Sequence, residues 1–488
     1  MQIAQRTFDW VSQKQFARVS CDFNPIHLDA IAARRTHAGA PIVHGIHSLL
    51  WVLDCLAKSD RHGRTVRSIN ARFLQPIYVG DEIKAEIGNS IHSTLRASVL
   101  SGRVEVATVA IGSVAAESSP MPPLPSEAIV MTAPSLPTEI RLKEMSGISG
   151  RLRFGPHFPE LSATFPSAVE AFGLQRMAAL ACTSCLVGMV VPGLHSMFLG
   201  LEASITDDES TPADMLEFSV ISVSERVRSV RIGFKARGIQ GTLEAINRLP
   251  PVAQRDLKSL LSLVSPEEFA NSSSLIIGGS RGLGELTAKL IAAGGGPVVV
   301  TYAVGRSEAD AVLSEINAHG PLCRAIAYDV RQSAATQLAS LNSAPTHVYY
   351  FATPRIYRRK SDLFDPERFA EFNLFYLNGF YDLVQECRRL NPSGLRVFCP
   401  STAFIDTRPQ NMTEYAMSKA AVEVLCSDLT RYLPGVRVLA RRLPRLPTDQ
   451  TSSVMQLYNS DPVAMLLPII REMHQCDLPN DRRAPLPG

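Results

Sequence analysis

Residues 272–303 read SSSLIIGGSRGLGELTAKLIAAGGGPVVVTYA: a short apolar run, a glycine turn, a helix-length apolar stretch and a β-branched run. Strands that alternate with helices in this way lie parallel, and a parallel sheet needs helices on both faces. The alternation continues to the end of the chain, so residues 273–488 are expected to form an α/β, doubly wound parallel sheet of Rossmann type. The turn GGSRGLG places Gly278, Gly282 and Gly284 between strand and helix, where bare backbone can approach a pyrophosphate at the helix N-terminus.

The first half of the chain is written differently. Two proline-rich stretches, 118–139 and 248–272, read as linkers, the second with a short helix at RDLKSLLSLV. Residues 1–117 carry an early helix, a turn around SCDFNPIHLD, an apolar helix near HGIHSLLWVLDCLA, and then period-two alternation in VRSINARFLQPI, DEIKAEIGN, TLRASVLSG and VEVATVAIGS. Residues 140–247 repeat that order, with an apolar helix around 171–191 followed by four alternating stretches. An internal duplication of an α+β unit, one helix wrapped by a curved antiparallel sheet, is expected.

Composition narrows the functional classes. The 488 residues are too many for one core at roughly 100 to 200 residues per domain. Apolar residues make up 45% and charged residues 19%, as in folded globular protein. A net charge of +3, with dispersed Lys and Arg, offers no basic stripe for nucleic acid. The nine cysteines are odd in number and scattered, and MQIAQRTFDW lacks the layout of a secretion signal, which fits a reducing cytoplasm. Cys182 and Cys185 form a CxxC, but inside MAALACTSCLVGMVVPGL and without a second pair at metal-site spacing. A buried core helix is expected there, rather than a metal site or a membrane span.

Two groups of residues carry chemistry. In the first, Asp22, Asn24 and His27 surround Pro25, whose fixed φ can aim the acid and the imidazole into one pocket for acid–base work. The same residues would equally make a turn in which Asp22 caps a helix and His27 is a satisfied, partly buried histidine. The wider stretch FARVSCDFNPIHLDAIAA, with GAPIVHGIHSLL and ARFLQPIYVGDEI downstream, resembles the hydratase-2, or MaoC-like, family. It departs at Cys21, where that family usually has glycine, and at Ala30, where it has proline. The resemblance implies a hot-dog fold, here doubled by the repeat, and reversible hydration of a trans-2-enoyl thioester to the (R)-3-hydroxyacyl thioester. Asp22 and His27 would share one water, Asn24 would hold the water or the pair in place, and the N–H of Gly45 would stabilise the thioester oxygen. The repeat has no D-x-N-P-x-H, so one such site per chain is expected. His44, His47 and His195 are left with structural roles.

In the second group, Asp329 ends strand AIAYDV, Asn373 lies in a helix, Ser401 follows strand LRVFCP, and YAMSK sets Tyr415 four residues before Lys419 on one helical face. An ammonium so placed lowers a phenol pKa, although YxxxK also occurs in ordinary amphipathic helices. The ordered set resembles the short-chain dehydrogenase/reductase family. By that resemblance Tyr415 is the general acid, Ser401 holds the substrate carbonyl, Lys419 binds the ribose and tunes Tyr415, and Asn373 keeps a relay water. The family's serine lies thirteen residues before its tyrosine, which here is Thr402, the alternative to Ser401. The cofactor would lie on Gly278, Ser280, Arg281, Gly282, Leu283 and Gly284, with Asp329 at the adenine. No acid ends the strand PVVVTYAVGRS, while Arg281 and Arg306 suit a 2′-phosphate, so NADPH is the expected cofactor. Ile277, FATP (351–354) and RLPRLPTDQ depart from the family pattern.

Together the resemblances imply a bifunctional 3-oxoacyl reductase and (R)-3-hydroxyacyl dehydratase acting on an acyl-CoA or acyl-carrier-protein thioester. The readings left open are the catabolic direction with NAD and a hot-dog half that binds without catalysing. No metal, nucleic acid or membrane is expected to take part, and a homodimer or tetramer is implied by resemblance.

Overall fold

The computed structural model describes residues 2–59, 66–88, 94–115, 121–122, 124, 128–155, 158–320, 323–357, 362–451 and 460–475. The chain divides into two compact units, Met1–Pro250 and a second that begins at Pro251.

The first unit is one sheet of eleven strands: β1 (Gln2–Thr7), β2 (Ser68–Phe73), β3 (Glu82–Ile87), β4 (Thr94–Ser101), β5 (Val104–Gly112), β6 (Val130–Thr132), β7 (Ser149–Arg153), β8 (Ser196–Ile205), β9 (Met215–Ser224), β10 (Ser229–Ala236) and β11 (Ile239–Asn247). Their order, β1-β3-β4-β5-β2-β8-β11-β10-β9-β7-β6, runs inward through one repeat and outward through the other in mirrored sequence. The repeats meet at β2 and β8, paired antiparallel from Ser68↔Ser204 to Arg72↔Gly200. An edge that would otherwise expose unpaired backbone is closed within one chain. Arg72 braces the seam with Glu202 and Glu244, both at 2.7 Å. Each half packs an apolar helix on the sheet: Gly45–Ser59 in the first, and Leu174–Cys185 continued by a π-helical turn, Leu186–Val190, in the second. One continuous core spans both.

The second unit is a six-stranded parallel sheet of β12 (Ser274–Ile277), β13 (Val298–Tyr302), β14 (Cys323–Ala327), β15 (His347–Tyr350), β16 (Leu395–Thr402) and β17 (Val436–Leu443). The order is β14-β13-β12-β15-β16-β17, the doubly wound order in which the chain reverses direction beside its first strand. Strands rich in Val, Ile and Tyr suit a sheet buried on both faces.

Both expected linkers prove more structured than their proline content suggests. Within 118–139, β6 extends the first sheet by parallel pairing with β7, and the Thr138 carbonyl accepts from Leu194 N–H at 2.8 Å. Within 248–272, Leu257, Leu260, Val264 and Phe269 are buried against the helix Gly282–Ala293 and the closing helix Pro462–Gln475. Apolar side chains at these spacings join a core, whatever the prolines around them. Cys182 and Cys185 are buried in their helix, and burial pushes both thiols up. Among the described residues no single helix is long and apolar enough to cross a membrane; Pro166–Phe172 and Leu174–Val190 reach that length only together and are bent by 114°.

Asp54, buried on the helix Gly45–Ser59, reaches across to the second repeat. It accepts from the N–H groups of Ser167 and Ala168, at 2.8 and 3.0 Å, capping the helix Pro166–Phe172. Replacing Asp54 with Ala should destabilise the first unit by about 1–2 kcal/mol, measured as a lower denaturation midpoint of its transition.

Candidate functional sites

The helix Trp10–Ser20 ends at Cys21, whose φ of 58° is left-handed. That is the conformation for which glycine is suited, and a cysteine there costs on the order of 1 kcal/mol. The reversal sends Asp22 inward, where it is 2% exposed. Asn24 caps the short helix Pro25–Leu28 through its Oδ1, which accepts from Ile26 N–H. Its Nδ2 donates to the carbonyls of Gly188 and Gly193 at 2.8 and 3.2 Å. Asn24 therefore anchors the loop of the pair to the second repeat.

His27 Nδ1 lies 2.8 Å from the Ile42 carbonyl, which can only accept, so Nδ1 carries a proton and, in the neutral ring, Nε2 keeps its lone pair. Nε2 is 4.0 Å from Asp22 Oδ2, a gap one substrate or water oxygen can bridge. Burial raises the Asp22 pKa and lowers that of His27. His44 stacks on His27 with ring centroids 3.9 Å apart, and its Nε2 is 3.1 Å from the backbone carbonyl of Asp22. His47 stacks on Phe16, and His195 faces Glu139 at 3.1 Å. Asp22, His27 and Gly45 line a cavity of about 260 Å3, together with Ile26, Phe73, Val106, Val187, Met197 and Phe198. Gly45 opens its helix, so its N–H has no acceptor one turn earlier. A Cβ on Gly45 would come within 3.0 Å of the Phe73 ring.

The second repeat has no D-x-N-P-x-H, yet it completes this site with two residues that sequence reasoning passed over. Ser184 Oγ donates to Asp22 Oδ2 at 2.7 Å. A Cβ on Gly188 would lie 2.4 Å from Asp22 Oδ1, so only glycine leaves room for the carboxylate. The one hint was a hydroxyl within an otherwise apolar, buried run.

In the second unit the glycine turn adopts the conformations its residues allow: Gly278 and Gly282 have φ of 76° and 61°. A Cβ on Gly284 would be 2.3 Å from the Gly278 carbonyl, whereas one on Gly282 would meet only Thr448, at 3.8 Å. The helix Gly282–Ala293 thus starts facing open space, as a dinucleotide pyrophosphate requires, and Ser280 and Leu283 flank it. Arg281 is committed to Asp449 at 3.2 Å. Arg306 is exposed and only 3.7 Å from Asp310. Asp329 is gripped by Arg331 through Nε and Nη2.

Tyr415 and Lys419 lie on the helix Thr413–Tyr432 and are both buried. Burial pushes the Tyr415 phenol up to about 12, and a hydrogen bond with Thr402 pulls it back. Ser401 is not at this site. Its hydroxyl donates to Glu423 at 2.5 Å, because consecutive strand residues point to opposite faces. Thr402 therefore replaces Ser401 as the hydroxyl beside Tyr415. Lys419 Nζ donates to the Pro400 carbonyl at 2.7 Å and sits 3.9 Å over the Tyr376 ring, against 6.0 Å for Tyr415. The phenol is therefore raised, chiefly by burial, where a depression by Lys419 was expected. Asn373 accepts from Ser418; a π-helical turn, Leu374–Asn378, instead brings Tyr376 to Lys419, its hydroxyl 2.5 Å from Thr353.

With this geometry in place, similarity to known proteins follows the same division. Residues 3–109 match the family described as MaoC like domain, and residues 273–346 match short chain dehydrogenase, a match that ends before Thr402, Tyr415 and Lys419. The chain is similar to an (R)-specific enoyl-CoA hydratase of Aeromonas caviae, 37% identical over 73 residues. Those residues are 15% of this chain, which spans about half (54%) of the hydratase's length. It is also similar to a 3-oxoacyl-[acyl-carrier-protein] reductase of Synechocystis, 29% identical over 209 residues, 41% of this chain and 82% of that protein. A solved 3-oxoacyl (acyl-carrier-protein) reductase from Agrobacterium tumefaciens with NADP bound is 23% identical, covering 37% of this chain and 73% of its own, with a TM-score of 0.34. The N-terminal part of the chain thus matches MaoC-like dehydratases and a later part matches short-chain dehydrogenases.

Gly188→Ala should displace the Asp22 carboxylate and cost about 1–3 kcal/mol of stability. Denaturant unfolding and a crystal structure of the variant measure both.

Proposed function

We propose that this chain converts 3-oxoacyl thioesters to trans-2-enoyl thioesters in two steps: NADPH-dependent reduction in the second unit, then dehydration of the (R)-3-hydroxyacyl product in the first. The observation that carries the reading is His27 Nε2 facing the Asp22 carboxyl across 4.0 Å inside an apolar cavity. The mirrored strand order supports a double hot dog, with residues 1–117 catalytic and 140–247 completing the tunnel wall.

In the hydration direction, His27 Nε2 takes a proton from water as the oxygen bonds to the β-carbon, and Asp22 gives a proton to the α-carbon. Dehydration reverses both transfers. Burial drives the two pKa values apart in the sense this assignment needs: the acid holds its proton more tightly and the imidazole less. Negative charge developing on the thioester oxygen falls to the Gly45 N–H at the helix N-terminus. Ser184 and Asn24 keep the carboxyl and its loop in register.

In the reductase site, bound NADPH supplies a hydride to the β-carbonyl carbon. Tyr415, whose phenol stays protonated at neutral pH, donates the proton to the carbonyl oxygen, and the Thr402 hydroxyl beside it orients that oxygen. Lys419 would hold the ribose. The open helix start at Gly282 fits the pyrophosphate, and Arg306, more available than the paired Arg281, fits the 2′-phosphate.

Incubation with a 3-oxoacyl-CoA and NADPH should yield enoyl thioester; accumulation of the hydroxyacyl thioester alone would leave the first unit without catalysis. His27→Ala should lower dehydration by at least about 10²-fold and spare reduction, and Tyr415→Phe should do the converse. Thr402→Val should depress reduction, while Ser401→Ala leaves it within a small factor; equal losses in the two would overturn the assignment of Thr402. Because the His27 pKa lies below its ordinary value, hydration should persist under mildly acidic conditions and fall only as pH drops through that lowered pKa.

A further inference from the structure

Arg248 follows β11 directly, in a stretch whose composition suggested a linker, and it is only 5% exposed. Among the described residues no carboxylate lies within ion-pair distance of its guanidinium, and burial lowers its pKa to about 10, so it remains charged at neutral pH. A buried cation without a counter-charge is strongly unfavourable and persists where the surrounding fold holds it for a purpose. Here backbone carbonyls hold it. Nε donates to Ser196 and Nη2 to Leu194, both at 3.1 Å, and the Arg248 N–H donates to His195 at 2.7 Å. Leu194 is shared: its carbonyl also lies 3.4 Å from Asn24 Nδ2, on the loop that presents His27. The clamped segment continues into Ser196, Met197 and Phe198 of the cavity wall.

We infer that Arg248 is a positioning residue of the dehydratase site, fixing the 193–196 segment behind the Asp22–His27 loop and adding, alongside burial, an unneutralised charge that acts on His27. The inference rests on the proposed role of that pair. His27 is faced by the Asp22 carboxyl, which favours its protonation, by the Ile42 carbonyl on Nδ1, by the stacked neutral ring of His44, and by the field of Arg248, which opposes protonation. The same field reaches His37 on the cavity wall and helps hold it neutral, its pKa lowered chiefly by burial to about 4.

The test is the pH dependence of kcat/KM for hydration of trans-2-butenoyl-CoA by the full-length protein, with Arg248→Gln, which keeps N–H donors but removes the charge, and Arg248→Lys, which keeps the charge. The Gln variant should move the acid limb up by roughly one pH unit, a tenfold loss on that limb, with the His27 titration followed by NMR moving equally. The Lys variant should leave the limb near its wild-type position even if kcat falls. An unmoved limb in a folded Gln variant would reduce Arg248 to a structural clamp and overturn the inference. Should the Gln variant not fold, the Lys variant decides alone: a limb displaced by a full unit despite the retained charge overturns it, and an unmoved limb supports it. Failure of the underlying function is separate, since it would appear as unchanged hydration in His27→Ala.

Discussion

The first unit depends on one contact between its unequal halves: the Asp22 carboxyl seated against Ser184 and Gly188 of the second repeat. A buried carboxyl needs donors, and its own loop offers only the Asn24 N–H, at 3.1 Å. The second donor and the space both come from the duplicate, so the pair cannot be held correctly by residues 1–117 alone. The β2–β8 seam and the Asn24 anchor exist in the same service, bringing the two helices to the distance at which a serine hydroxyl meets a carboxylate oxygen.

In the second unit the equivalent constraint is the alternation of side chains at the end of β16. Thr402 faces Tyr415 and Ser401 faces Glu423, so the hydroxyl that meets Tyr415 is chosen by the pleat. Tyr376 then fills the space over Lys419. Its ring receives the ammonium and its hydroxyl pairs with Thr353, in the FATP segment that departs from the family pattern. Thr353 of that segment and Tyr376 are thus held to one another.

What could be read in the sequence followed from how local each signal is. Asp22, Asn24 and His27 lie within six positions, and Tyr415 and Lys419 within one helical turn, so spacing alone places them together. Parallel strand order in 273–488 was legible because strand and helix periods alternate plainly. Ser184 was not, since it meets Asp22 across 162 positions and no local pattern encodes that meeting. Ser401 was chosen over Thr402 because a one-residue shift along a strand is invisible in composition but reverses the face. Tyr376 beside Lys419 was not legible, because the π-helical turn that contains it changes which residue faces inward, and nothing in LFYLN announces it. Proline content misjudged 248–272, where the spacing of Leu257, Leu260, Val264 and Phe269 carried the packing.

The duplication leaves a division of labour whose effect reaches beyond one reaction. Asp22 and His27 sit in the first repeat with much of the apolar lining, Ile26, Ile42, Phe73 and Val106 among it, while Val187, Met197, Phe198 and Leu199 of the second close the rest of the wall. A substitution at one of those four positions reshapes the cavity without touching the chain segment that carries Asp22 and His27. A symmetric pair of identical protomers has no such liberty, for every change to its lining is also made beside its own chemistry.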